Sequence, residues 1–173
     1  MMTNPQNKTC HGVLVAIANK GILITGAAGV GKSSLALELL YLGHTLIADD
    51  HVEVQSIDDK LIGQCPSLLH NILHTRELGL ISIPLVFGPA AWKQKHAINY
   101  VVNLQTESTT EISLGIHRQT HSLLGKDLPL LKLNTQNPAS LVHRILCWIS
   151  MLSNQHATEN EFKQRQAVMM ASQ

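Results

Sequence analysis

The sequence has few aromatic residues and little charge. Aromatics make up 3% of its 173 residues, charged residues 14%, and the formal net charge is +1. A base-stacking surface needs aromatic rings, and electrostatic binding to nucleic acid or to an anionic membrane needs an excess of positive charge. No apolar run approaches the roughly 20 residues of a membrane span. We therefore expect neither nucleic acid nor a membrane among its partners.

Cysteine is also scarce. Cys10, Cys65 and Cys147 are far apart and odd in number, so they form neither a C-x-x-C pair nor a disulfide framework. The stretch from Met1 to Lys8 is polar and lacks the apolar centre of a signal peptide. Both observations favour a cytoplasmic protein whose cysteines serve as small apolar residues.

A glycine-rich motif is the most informative feature that is present. The pattern G-x-x-x-x-G-K-[ST] is matched by Gly26, Ala27, Ala28, Gly29, Val30, Gly31, Lys32 and Ser33. An apolar run that suits a buried strand precedes it, and a run of good helix formers follows it. Strand, loop and helix in this order are the context that a phosphate-binding loop requires. A glycine-rich turn that matches by chance is the alternative, and the correct flanks argue against it.

The residue types of this loop suit ATP with Mg²⁺. Glycines let backbone N–H groups converge on an anion, and the start of the helix adds unpaired donors. Lys32 would neutralise the outer phosphates, and the Ser33 hydroxyl would bind the magnesium ion that bridges them. We therefore predict ATP and Mg²⁺ as ligands of the loop.

Alternating strand and helix patterns predict an α/β domain with a mixed, partly antiparallel sheet. A hairpin of residues 13–17 and 22–24 is expected to deliver the loop. Its helix should end near Gly43, where a glycine can take a left-handed conformation. Further expectations are a short helix from Pro66 to Leu73, strands over 44–48, 52–57, 80–87, 97–104 and 128–133, and a helix starting at Asn137-Pro138. Pro129 suggests that the last strand lies at an edge or that the proline lies at its end.

The chain divides into three predicted parts. Residues 1–10 are expected to be a disordered or frayed lead-in, residues 11–153 a single catalytic domain, and residues 154–173 a polar tail or helix.

Two adjacent carboxylates follow the first strand after the loop. Asp49 and Asp50 stand 17 and 18 residues after Lys32, which is the length of one helix and one strand. The sheet can therefore bring them beside the loop, where one would hold the metal and the other accept a proton from an attacking hydroxyl. A solvated acidic turn is the alternative, which we would favour without the loop.

Histidines and arginine are harder to interpret from the residues alone. At the start of a strand, His11 would ordinarily be structural, and Arg76 is either a phosphate clamp or part of a surface ion pair. His70 and His74, like His117 and His121, have the spacing of two metal ligands on one helix face. No third ligand stands at a telling distance, so solvated or capped histidines are favoured there.

Several stretches together resemble the catalytic domain of the HPr(Ser) kinase/phosphorylase family. They are His11-Gly12-Val13-Leu14-Val15, the loop, Leu35-Ala36-Leu37-Glu38-Leu39, Gly43-His44, Asp49-Asp50-His51-Val52-Glu53-Val54, Leu61-Ile62-Gly63 with Pro66, Arg76 with Leu78-Gly79-Leu80-Ile81, and Phe87-Gly88. The resemblance is specific over about the first 80 residues. It implies a core related to that of phosphoenolpyruvate carboxykinase, in a short version without the family's separate N-terminal domain.

The resemblance also implies an activity and residue roles. The activity is transfer of phosphate from ATP or pyrophosphate to a serine of the phosphocarrier HPr, together with the reverse phosphorolysis. Lys32 and Arg76 match family catalytic positions, Ser33 and Asp49 lie on the metal side, Asp50 matches the proton acceptor, and His11 matches the active-site histidine. Family members tend to form hexamers, so self-association is possible here.

The sequence departs from the family pattern at three places. His74 replaces a glutamate metal ligand, and Glu77 stands where the family has a glycine. An arginine before Gly115 is missing, since Ile112, Ser113 and Leu114 fill that run. A basic stretch tied to dephosphorylation is replaced around residues 134–139. We therefore expect a serine kinase acting on HPr or a related carrier with weak or absent phosphorylase activity. The alternatives are a nucleotide-binding regulatory module without efficient transfer and, less favoured, a kinase for a different small substrate.

Overall fold

The computed structural model describes residues 7–107 and 119–171, with the backbone only for residues 155–159. Its strands are β1 (Asn7–His11), β2 (Val13–Ile17), β3 (Lys20–Gly26), β4 (Thr45–Ala48), β5 (His51–Ile57), β6 (Lys60–Gln64), β7 (Ile72–Thr75), β8 (Gly79–Ser82), β9 (Lys95–Gln105), β10 (Gln119–Leu123) and β11 (Lys126–Asn134). Its α-helices are α1 (Lys32–Tyr41), α2 (Ile83–Phe87) and α3 (Leu141–Ala171). Single 3₁₀ turns lie at Ser67–Leu69 and Pro89–Ala91.

Nine strands form one curled, mixed sheet. Their order is β1–β5–β6–β9–β3–β2–β4, and β11, which carries β10 on its other side, also pairs with β9. The β3–β9 and β9–β11 pairs are parallel and the remaining pairs antiparallel. The predicted mixed, partly antiparallel α/β fold is therefore confirmed. No helix within the described residues is both long and apolar enough to cross a membrane.

Consecutive strands β4 and β5 lie near opposite ends of this sheet, although only Asp49 and Asp50 separate them. Two intervening residues span at most about 11 Å between the flanking Cα atoms. The sheet must therefore curl until its two ends approach each other. We call the place where they meet the seam, defined by residues 48–51.

The central strands β2 and β3 are buried on both faces. Alternate side chains point to opposite faces of a strand, so Val13 and Val15 join one apolar cluster and Leu14 joins the other. The first cluster packs under α1 and α3, and the second packs against β5, β6 and β10. Burial on both faces explains why these strands are continuous apolar runs without polar alternation.

The predicted hairpin and the end of the first helix are confirmed. Ala18 and Asn19, both with positive φ, connect β2 to β3, and Gly43 follows α1 with φ +84. Three other expectations were wrong. Residues 7–10, placed in the frayed lead-in, belong to β1; the helix from Pro66 to Leu73 is a 3₁₀ turn followed by β7; and the strand over 80–87 ends at Ser82, where α2 begins.

The start of α3 also differs from the prediction. The helix begins at Leu141, and the Ser140 hydroxyl accepts a hydrogen bond from the His143 N–H at 3.3 Å, so Ser140 takes the capping position expected of Asn137. Its backbone is non-helical at Asn154, where the chain kinks before continuing to Ala171.

Pro129 does not lie in an edge strand, because β11 has β10 on one side and β9 on the other. The pairing of β11 with β9 begins only at Leu130, directly after the proline.

Candidate functional site

The glycine-rich loop connects β3 to α1 at the edge of a cavity of about 460 Å³. Gly26, Gly29 and Gly31 have φ values of +140°, +77° and +105°, which side chains with a Cβ rarely adopt. Lys32 is only 7% exposed, and its Nζ donates to the carbonyl oxygens of Gly26 and Ala27 at 2.9 Å each. Its cationic end is thus held within the loop, as a phosphate-binding lysine requires.

Asp49 is buried at the end of β4 and fixed through both carboxylate oxygens. Its Oδ1 accepts a hydrogen bond from the Ser33 hydroxyl at 2.8 Å, and its Oδ2 accepts one from the backbone N–H of His74 at 2.8 Å. The residue is 6% exposed. A hydroxyl and a carboxylate oxygen in contact are hard ligands of the kind that Mg²⁺ prefers. The structure therefore brings Ser33 and Asp49 into contact, and their role as metal ligands stays a prediction.

Asp50 has a strained backbone, and its side chain contacts different partners from those of Asp49. Its φ is +66°, and the His51 N–H donates to the Asp49 carbonyl at 2.8 Å, which makes Asp50 the centre of a γ-turn. Gly12 N–H donates to the Asp50 carbonyl at 3.0 Å. Such strain persists only where the surroundings enforce it, and it concentrates at functional positions. The two adjacent carboxylates consequently occupy different environments, one buried and one more than half exposed.

Two histidines flank the Asp50 carboxylate. His11 Nδ1 lies 3.2 Å from Oδ1, and His51 Nδ1 lies 2.8 Å from Oδ2. The two rings meet edge to face with centroids 5.9 Å apart. His11 lines the same cavity as Asp50 and Lys32, so the structure brings these predicted site residues together.

Arg76 reaches the loop from the β7–β8 hairpin. A Cβ added to Gly29 would lie 2.8 Å from Arg76 Nη2, so the guanidinium rests directly against the loop backbone. Among the described residues, no carboxylate lies within ion-pair distance of Arg76. Its position therefore favours the phosphate-clamp interpretation over a surface ion pair. His74 and Glu77, the two departures from the family pattern on this hairpin, line the same cavity.

Other predicted positions lie away from this cavity or outside the described residues. Residues 112–115, where the family arginine is missing, and Arg118 and His117 fall in the undescribed segment. Residues 135–139 form turns and bends after β11, and Arg144 donates to the Asn134 and Ser140 carbonyls there. The helix-face interpretation of the histidine pairs is wrong, because His74 lies on β7 and His121 on β10.

Sequence reasoning missed two residues at the site. His51 lies opposite His11 in the β1–β5 pairing, which was not foreseen because β1 was expected to be frayed. Gly12 is required because a Cβ there would come within 2.6 Å of the Ile24 carbonyl oxygen. The signal available in the sequence was that Gly12 directly follows His11 and that His51 directly follows Asp50.

A curled mixed sheet with a glycine-rich loop between a strand and a helix, and with two carboxylates beside that loop, defines the class of the protein, a mixed α/β domain with a cavity at this loop. The comparison with protein families is specific: the family described as HPr Serine kinase C-terminal domain matches residues 4–166. The chain belongs to this family.

Similar proteins agree with that assignment. The chain is 40% identical over 124 residues to the HPr kinase/phosphorylase of Bacillus subtilis (strain 168), and 42% identical over 130 residues to that of Burkholderia lata. These alignments cover 70% and 74% of this chain, and the chain spans about two-fifths, 40%, of either relative's length. The solved structure of the Hpr(Ser) kinase/phosphatase from Coxiella burnetii aligns with a TM-score of 0.77 at 25% identity, covering 90% of this chain and 98% of that one.

Proposed function

We propose that this domain is an ATP-dependent serine kinase that acts in the cytoplasm on HPr or a related phosphocarrier protein. The observation that carries the proposal is the convergence of Lys32, Asp49, Asp50, His11 and Arg76 on one cavity beside the glycine-rich loop. Membership of the HPr kinase family and the names of its relatives support the choice of acceptor. Self-association of the chain remains a prediction.

The proposed reaction is an in-line displacement at the γ-phosphorus of ATP. The serine oxygen of the acceptor forms a bond to phosphorus, the bond to the β-phosphate oxygen breaks, and ADP leaves. Asp50 accepts the serine proton, because its carboxylate is more than half exposed and lines the cavity, while Asp49 is buried. Lys32 and Arg76 hold the phosphates from the loop side, and His11 orients the Asp50 carboxylate.

Ser33 and Asp49 would hold the magnesium ion. Their oxygens lie 2.8 Å apart, and both are of the hard type that this cation selects. When bound, Mg²⁺ neutralises phosphate charge and orients the transferred group.

We further propose that phosphorylase activity is weak or absent. The reverse reaction must bring inorganic phosphate up to a phosphoserine, and arginine side chains are the usual means of offsetting that repulsion. The sequence lacks the family arginine before Gly115 and both arginines of the later stretch, and Arg144 is engaged with main-chain carbonyls. Supplying serine-phosphorylated HPr with excess phosphate should release pyrophosphate far more slowly than the same protein phosphorylates HPr.

One departure favours a second candidate, a nucleotide-binding regulatory module without efficient transfer. His74 stands where the family has a glutamate metal ligand, and an imidazole is a poorer partner for a hard cation than a carboxylate. Glu77 lines the same cavity and offers a carboxylate there. The regulatory candidate predicts ATP binding without phosphorylation of HPr.

Phosphate transfer to HPr by the parent protein separates the two candidates, and two substitutions test the residue roles. Asp50→Asn keeps a side chain that tolerates positive φ, so the turn should survive, but an amide cannot accept the serine proton. Phosphoserine formation on HPr with labelled ATP should fall about 10²- to 10⁴-fold, while calorimetric ATP binding persists. Lys32→Ala should instead weaken ATP binding, and Lys60→Ala, an exposed lysine away from the cavity, is the matched control. Transfer by Asp50→Asn at the parental rate would remove Asp50 from its role; ATP binding by the parent without transfer to HPr would exclude the HPr kinase and favour the regulatory module.

A further inference from the structure

Three side chains that commonly bind transition metals meet beside the second aspartate. His11, Asp50 and His51 each offer one ligand atom, and these atoms all lie within 4.8 Å of one another. All three side chains are about half exposed, at 50%, 56% and 51%. We call this set the histidine–aspartate cluster. It is distinct from Ser33 and Asp49, which offer oxygen atoms only.

The distances from Asp50 to the two histidines are close to those of a tetrahedral metal site. Zinc–nitrogen and zinc–oxygen bonds of about 2.0–2.1 Å place neighbouring tetrahedral ligands about 3.3 Å apart. Asp50 oxygens lie 3.2 Å from His11 Nδ1 and 2.8 Å from His51 Nδ1. The three ligand atoms lie within 4.8 Å of one another, so a zinc ion would draw them together by up to about 1.5 Å, and the exposed side leaves a fourth position for water.

The backbone holds the three residues in place without a metal. His11 and His51 are directly opposed in the antiparallel β1–β5 pair, the arrangement that brings cross-strand side chains closest. Asp50 is fixed by its γ-turn and by the hydrogen bond from Gly12. Little chain entropy would be lost on binding, because the ligands are already assembled.

The donor set selects the class of metal. Two imidazoles and one carboxylate suit borderline cations such as Zn²⁺, whereas Mg²⁺ prefers oxygen ligands. An ion bound here would occupy the carboxylate of Asp50 and the ring nitrogen of His11, both of which line the cavity.

We propose that His11, Asp50 and His51 form a binding site for a zinc-class dication, and that the bound ion blocks phosphoryl transfer by occupying Asp50. The binding half of this proposal stands without any enzymatic activity. The inhibitory half rests on the proposed kinase function.

The binding half is tested by titrating metal-free protein with Zn²⁺ against a chromogenic chelator, and with Co²⁺ as an optical probe of tetrahedral coordination. The parent should bind one ion at this site. His51→Gln and Asp50→Asn should each bind at least about tenfold more weakly, since each removes one of three protein ligands. These side chains are exposed, so the variants should fold, and circular dichroism checks this.

His143→Gln is the matched control. His143 is exposed on α3, four residues before the exposed Cys147, and this pair is a competing place for zinc on the described surface. This variant should bind Zn²⁺ like the parent. Equal affinity in all variants, or loss of binding only in His143→Gln, would overturn the proposal.

The inhibitory half is tested by measuring HPr phosphorylation with Zn²⁺ added to excess Mg²⁺ and ATP, each variant being compared with its own zinc-free rate. Zinc should reduce transfer by the parent at concentrations that leave His51→Gln unaffected. Zinc binding at the cluster without loss of transfer would overturn this half. If the parent transfers no phosphate at all, the inhibitory half falls with the proposed function, while the titration still decides the binding half.

Discussion

At the scale of single residues, Gly29 is the place where the glycine-rich loop contacts Arg76 of the β7–β8 hairpin. Its φ of +77° excludes most other residues, and the Arg76 guanidinium occupies the space that a Cβ would need. A glycine at this position therefore serves both the shape of the loop and the approach of a cation to it.

Gly29→Ala should separate these two roles when it is compared with Gly125→Ala. Gly125 has φ +75°, and no atom lies within 4 Å of the position that a Cβ would take there, so both substitutions carry the same backbone cost of about 1–2 kcal/mol. Only Gly29→Ala should also displace Arg76, and its calorimetric affinity for ATP should fall by about tenfold or more. Equal ATP affinity in the two variants would show that the Arg76 contact does not contribute to binding.

Cys65 is protected by its surroundings as well as by burial. The thiol is 3% exposed, and burial raises its pKa to about 11, with smaller contributions from the carboxylates of Glu53 and Asp49. The folded-state pKa lies above the unfolded value, so this thiol favours the folded state below about pH 9, and the effect is lost as the pH rises through 11.

Alkylation by iodoacetamide at pH 8 should therefore modify Cys147 first and leave Cys65 intact in the native protein. A pKa two units above the ordinary value of 9.0 reduces the thiolate fraction about 100-fold. Peptide mass spectrometry over time gives the two rates, and the same reaction in urea is the control in which both cysteines should react. Rapid native modification of Cys65 would contradict its burial.

The residues of the site could be predicted from the sequence to very different degrees. The loop and the two aspartates were predictable because their spacing follows from one strand, one helix and one strand. His51 was not, because its role depends on the pairing of β1 with β5, residues that lie about 40 positions apart in the chain. The different exposure of Asp49 and Asp50 was also not predictable, because the sequence does not show the positive φ at Asp50.

At the scale of elements, the first half of α3 packs into the buried core. Val142, Ile145 and Trp148 are buried in the cluster beneath α1, and Trp148 packs edge to face against Tyr100 of β9. After the kink at Asn154, the described side chains from residue 160 onward are exposed.

Ile145→Ala should lower the free energy of unfolding by about 2–5 kcal/mol, because it removes a fully buried side chain and leaves a cavity. Met151→Ala on the same helix is the matched control. Met151 is 41% exposed, and alanine is a good helix former, so its loss should stay below about 1 kcal/mol. Urea denaturation followed by circular dichroism measures both. Similar losses of unfolding free energy in the two variants would mean that burial of the first half of α3 does not contribute substantially to stability.

The errors at this scale have local causes. Leu68, Leu69, Ile72 and Leu73 fit a helical spacing, but only Leu73 is fully buried, and positive φ at Asn71 breaks the run before β7. A proline at Pro84 was compatible with strand, yet it lies in the first turn of α2, where a missing N–H costs nothing. β1 escaped notice because its side chains are mostly exposed and carry no apolar alternation.

At the scale of the whole molecule, the seam joins elements that are distant in the sheet. Residues of the site come from positions 11, 32, 50 and 76, and they meet only because β4 and β5 bring the two ends of the sheet together. The order of strands could not be predicted from the sequence, because no local sequence pattern indicates that the consecutive strands β4 and β5 lie near opposite ends of the sheet.

The seam also affects the order of events during folding. Hairpins β2–β3 and β5–β6 are local and can form early, whereas closing the sheet requires distant segments to meet, which is slow because chain entropy is lost before those contacts form. During refolding, the capacity to bind nucleotide should therefore appear after most secondary structure. Stopped-flow refolding followed in parallel by circular dichroism and by a fluorescent ATP analogue measures the two rates. Simultaneous recovery of both signals would mean that closure of the seam is part of the first folding step. A lag would mean that a newly made chain has most of its secondary structure for a time before it can bind its ligand.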